Sequence, residues 1–134
     1  MVAYCINHRT MEIRIAATIL VAMYVVSGIT KVASLGSSES ERLSKALGTS
    51  LRVSVALVLA AGIVELVGSY LVLTGVWNAN QERTSLGSKM LVVFTILATL
   101  IFYTFPFRYK PFLSNMTALA ALLLLPEVCA LARR

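Results

Sequence analysis

The sequence predicts an all-α, polytopic membrane protein: four transmembrane helices packed up-down-up-down as a single domain. Three observations predict it. Of 134 residues, 58% are hydrophobic and 13% charged, about half the charged share of an ordinary soluble domain. Four apolar stretches, residues 12–35, 51–76, 88–107 and 112–131, are each about 20–26 residues long. At about 1.5 Å per residue each crosses a ~30 Å hydrocarbon core. The connections are short, which suits antiparallel neighbours in a bundle.

Residues 1–10 read as a short polar head carrying His8 and Arg9. The first span is strictly uncharged only from Ile15 to Thr30, so Arg14 and Lys31 are expected to snorkel from its ends. A cleaved signal sequence is the rival reading, with a basic head, an apolar run and small residues near Ser34. Lys31 in the would-be cleavage region argues against it. Next comes GSSESERLSKALGT, the only polar interval of any length. Ser37–Ser40 offer N-caps, Glu39 and Glu41 come early, and Arg42 and Lys45 late, an order that suits the helix dipole. An interfacial helix over 38–48, with Leu43, Ala46 and Leu47 on one side, stands beside the plainer reading of a solvated connector.

The second span carries Glu65 near its middle. A lone carboxylate at that depth costs roughly a few kcal/mol, so it must be paired, protonated, or turned toward protein or water. Trp77 closes the span as an interface anchor, and residues 78–87 read as a polar turn. The third span lies between Lys89 and Arg108. Phe102, Tyr103, Phe105, Phe107 and Tyr109 at its far end resemble an aromatic belt. Pro106 and Pro111 bracket the next turn. The fourth span holds Pro126 and Glu127, the latter within reach of terminal arginines. The twelve basic residues divide evenly between the two membrane sides, so orientation is not fixed.

The net charge of +6 implies anionic headgroups or acidic partners. It does not imply nucleic acid, because no basic stripe is interleaved with aromatics. Cys5 and Cys129 lack metal or redox spacing. Their spans place them on one membrane side, which leaves a disulfide geometrically open, although free thiols are the simpler expectation. A single histidine cannot hold a bis-histidine haem, and no metal site is expected. The sequon Asn115-Met116-Thr117 lies too close to the membrane for glycosylation.

Two helix faces stand out. Tyr24, Ser27, Gly28 and Lys31 share one face of the first span. Ala61, Glu65, Gly68, Ser69 and Val72 share one face of the second, with Gly62 as a further small packing residue. Small residues permit close helix approach and polar ones hydrogen-bond across it. These faces are expected to meet, with Lys31 and Glu65 as an ion pair. Counted from the terminal side, Lys31 lies about 27 Å along its helix and Glu65 about 16 Å, so contact needs tilt or a bridging water. Three readings remain open: a pair that fixes helix register, a working proton or ligand site, and a protonated, unpaired Glu65. Thr95 and Thr99, with Tyr103, either line the same interior or bond their own helix carbonyls.

The first span ends in SGITKVASL, the second contains AAGIVELVGSYLVLTGV, and the third begins GSKMLVVFTILATL. This pattern resembles the DoxX family of four-helix membrane proteins. The matching positions are Gly28 and Lys31, then Glu65, Gly68 and Gly75, within a likeness covering about residues 13–125. The resemblance implies a small subunit of a larger membrane complex, with Lys31 and Glu65 as the family's charged pair. Some members are associated with quinone reduction, and relatives in the wider superfamily act as assembly factors. The leading expectation is a structural or assembly subunit without activity or cofactor of its own. Its partners would be the bilayer and other membrane proteins, further copies of itself included. The alternative is a quinone-interacting subunit of an oxidoreductase complex, with Tyr24, Ser27, Lys31 and Glu65 around a quinone. A transporter is a distant third, because four spans with one buried acid need oligomers to form a path.

Overall fold

The computed structural model describes residues 2–34, 37–103 and 109–131, and they form five helices: α1 (Val2–Ala33), α2 (Ser37–Leu47), α3 (Leu51–Trp77), α4 (Gln81–Tyr103) and α5 (Tyr109–Leu131). Four are long and apolar enough to cross a bilayer: Met11–Ala33 within α1, Leu51–Trp77, Gln81–Phe102 within α4, and Tyr109–Leu131. The chain is an all-α, multi-pass membrane bundle.

Paired contacts fix the topology. Gly28 of α1 lies against Gly62 of α3, and Arg14 reaches the Trp77 carbonyl at 3.4 Å, so α1 and α3 are antiparallel. Gly68 meets Leu91 while Gly75 meets Thr84, which sets α3 against α4 in the same way. The Asn115 amide donates to Thr99 Oγ1 at 2.9 Å, joining the end of α4 to the start of α5. Helix α3 is central, packed against α1 on one side and α4 on the other; α5 packs on α4 and touches α1 only lightly. The core is a narrow column that includes Val21, Val72, Leu91 and Leu122, all inaccessible. The outward residues of the spans, such as Ile19, Ile63, Leu100 and Leu124, are exposed and apolar, as a lipid-facing surface requires.

Several boundaries differ from the sequence reading. The head at residues 2–10 is helical, continuous with the span. It contains neither glycine nor proline, so nothing ends the helix there. The polar turn expected over 78–87 is only residues 78–80, and Gln81–Gly87 belong to α4. Asn80 starts that helix early: its Oδ1 accepts the Arg83 N–H at 3.1 Å, and Glu82 sits in the first turn, favourable to the dipole. The preceding helix stops through a Schellman-type motif. The Asn80 N–H bonds the Gly75 carbonyl at 2.7 Å, and Ala79 takes a left-handed φ of 55°. Pro111, expected in a turn, lies in the first turn of α5, where its missing N–H would have no helical acceptor anyway.

The polar interval is a helix, α2, ended by Gly48 at a φ of 64°. Only part of the expected face is buried. Ser40 and Leu43 turn inward against α3 and α4, while Ala46 and Leu47 are exposed. Glu127 is also exposed. Trp77 is half-exposed with the Arg14 guanidinium 5.3 Å from its ring centroid, a cation–π contact at the end of the span. The side chains of Cys5, His8, Tyr103, Phe105, Phe107 and the terminal arginines lie outside the described residues.

Candidate functional site

Lys31 and Glu65 meet. The Lys31 Nζ donates to both carboxylate oxygens of Glu65, each at 2.9 Å, and Ser27 Oγ donates to Oε1 at 3.1 Å. Both residues are buried, Lys31 at 8% exposure and Glu65 at 2%. Lys31 therefore does not snorkel to the end of its span. Its ammonium also lies 4.9 Å from the Phe94 ring centroid and 3.8 Å from Glu39 of α2.

The difference in depth persists at close to the counted value, and the side chains span it. Gly28 abuts Gly62, so α1 finishes part-way along α3, and the first turns of α3 continue roughly 10 Å further. Helix α2 packs against α3 and α4 and brings Glu39 to Lys31. Lys31 follows Gly28 on α1, and Glu65 follows Gly62 on α3, at the same spacing. On antiparallel helices these steps run in opposite directions, leaving the two residues roughly 9 Å apart along the axis. A helical side chain leans toward its own N-terminus. For Lys31 that direction is toward Glu65, and for Glu65 it is toward Lys31, so the two side chains close the gap from both ends.

The glycines make this approach feasible. A Cβ on Gly28 would stand 2.9 Å from Leu66 Cγ and 3.0 Å from the Gly62 carbonyl; one on Gly62 would stand 3.1 Å from Lys31 Cβ. The two expected faces meet only in part. Gly68 turns to α4, where its Cβ position lies 2.9 Å from Leu91, because α3 is central and divides its small residues between two neighbours.

Tyr24 stands about two turns before Lys31 on the same face and is 5% exposed. Its hydroxyl lies 2.8 Å from Thr95 Oγ1. Thr95 gives its only proton to the Leu91 carbonyl at 2.7 Å, so Tyr24 is the donor between them. Thr99 likewise donates to the Thr95 carbonyl at 2.6 Å and accepts from Asn115. Both threonines thus bond their own helix and also line the interior. Sequence reasoning missed Glu39, Phe94 and Asn115. Glu39 read as a dipole partner and Asn115 only as a sequon, while Phe94 has no polar signature.

The arrangement is one amine held between a buried carboxylate and a partly exposed one, flanked by hydroxyls. Its buried charges are neutralised internally and both Glu65 oxygens are occupied. No family model, curated protein or solved structure matches this chain.

Proposed function

We propose that this chain is a DoxX-like structural or assembly subunit of a larger membrane complex, without catalytic activity of its own. The observation that carries this reading is the closure of the Lys31–Glu65 pair. Lys31 takes both carboxylate oxygens, Ser27 adds a third bond, and almost nothing of Glu65 reaches the surface. A pair used up in this way fixes the register of α1 on α3 and leaves an apolar outer surface for lipid or for other membrane proteins. The test is purification in mild detergent, with the native assembly resolved by size and its proteins and quinones identified. Discrete protein partners without quinone are the expected result. A bare oligomer with neither would overturn it.

A second reading, a quinone-interacting subunit of an oxidoreductase complex, draws on one observation. Tyr24, Thr95 and Ser27 place hydroxyls beside the pair, the polar contacts a quinone carbonyl would use. A co-purifying quinone that is lost in Glu65→Gln would favour it.

A further inference from the structure

Two hydroxyls inside the bundle stand apart from the others. Ser69 Oγ on α3 and Ser88 Oγ on α4 are buried and make no hydrogen bond to protein, and each residue is 1% exposed. Nearby hydroxyls on the same helices behave differently: Thr74, Thr84, Thr95 and Thr99 each donate to the carbonyl one turn back. A buried hydroxyl without a partner is costly, and buried polar atoms in folded proteins are nearly always satisfied by protein or by ordered water.

The two serines face the same place. At one of the close approaches of α3 and α4, a Cβ on Gly87 would lie 2.7 Å from the Gly68 carbonyl. Ser69 follows Gly68, and Ser88 follows Gly87. One step along a helix turns the side chain by about 100°. Because these helices are antiparallel, the two steps turn to the same side of the contact. Burial of both residues shows that this side is the interior. Val72 and Leu91, each at 0% exposure, follow the serines at the same spacing and close the flanks. The serines also stand one turn after the carbonyls of Glu65 and Thr84, each of which keeps a lone pair beyond its helix bond. Two hydroxyls and two carbonyls provide the two to four polar partners that a buried water needs.

We propose that Ser69 and Ser88 hold internal water at the α3–α4 crossing, one helical turn from Glu65. This water satisfies both hydroxyls and extends the polar interior from the Lys31–Glu65 pair toward the opposite membrane face. The ligand class is water alone: the close packing of Gly68 and Gly87 leaves no room for a larger guest.

The test is X-ray radiolytic labelling of the protein in lipid nanodiscs in oxygen-18 water, read by mass spectrometry. Trapped water yields hydroxyl radicals on the spot, so Val72 and Leu91 take up label despite their burial. In Ser69→Ala/Ser88→Ala that labelling falls to background. No labelling in the wild type, or equal labelling in both proteins, overturns the proposal. Unfolding of the two single variants and the double variant provides an independent check. Shared water couples the two substitutions. Strict additivity, with each single variant more stable than wild type, means the hydroxyls are dry and independent, and also overturns it.

Discussion

Lys31 and Glu65 form their two 2.9 Å hydrogen bonds from positions roughly 9 Å apart along the bundle axis. The contact exists because each side chain leans toward the other, and because Gly28 and Gly62 let the two backbones come close enough.

Removing one partner strands the other. Glu65→Gln or Lys31→Met is expected to destabilise the bundle by about 3–5 kcal/mol, while Lys31→Met/Glu65→Leu recovers most of the loss. Glu39→Gln is the contrast. Its carboxylate is 41% exposed and 3.8 Å from Lys31, so its removal costs about 1 kcal/mol or less. Equilibrium unfolding in mixed micelles checks the order.

The hydroxyl pair Tyr24–Thr95 is asymmetric. Tyr24→Phe leaves Thr95 bonded to Leu91 and costs about 0.5–1 kcal/mol. Thr95→Val leaves a buried Tyr24 hydroxyl without its acceptor, and the cost rises to about 1–3 kcal/mol. Equal losses for the two variants would contradict this assignment of donor and acceptor.

Glycine-to-alanine substitutions should rank by what the new methyl meets. At Gly75 it lies 2.5 Å from the Thr84 backbone nitrogen, and at Gly87 2.7 Å from the Gly68 carbonyl. Neither obstacle can rotate away, so each substitution costs about 1–3 kcal/mol. At Gly62 the contacts begin only at 3.1 Å, with Lys31 Cβ, so a shift of a few tenths of an ångström relieves them and the cost is smaller. Thermal unfolding of the three variants tests the ranking.

Ala79→Gly should raise stability. Alanine sits at a φ of 55° in the α3–α4 connection, where its Cβ is strained and glycine is not. A gain of up to about 1 kcal/mol is expected, seen as a higher melting temperature in detergent.

The four spans were legible because hydrophobic length is a coarse property that survives without any packing information. The Lys31–Glu65 pair was legible because two charges inside apolar helices have few alternatives. The offset between them along the axis, roughly 9 Å, is close to the count from the helix ends; what stayed hidden is that both side chains lean across it without a bridging water. The Gly28–Gly62 contact that lets the backbones approach was hidden as well, because Gly68, Gly75 and Gly87 in the spans could equally have made it. The start of α4 was missed because Gln81–Gly87 is polar, and polarity alone does not distinguish a turn from a capped helix. The role of Glu39 was hidden for a related reason: nothing in GSSESERL says which of its two acids faces the bundle.

The pairing of α1 with α3, across the intervening α2, has a consequence for biogenesis. Lys31 and Glu65 are separated by 34 residues of chain. At translation rates of about 5–20 residues per second, the carboxylate leaves the ribosome roughly 2–7 s after the amine. Throughout that interval the first span carries near its trailing end a positive charge whose buried partner is not yet made, with only the partly exposed Glu39 nearby in the chain. It must keep that charge at the bilayer surface, or lodge it against the insertion machinery, until the second span arrives to receive it. The expectation is a two-stage insertion, in which the first helix settles to its final depth only after the second is made.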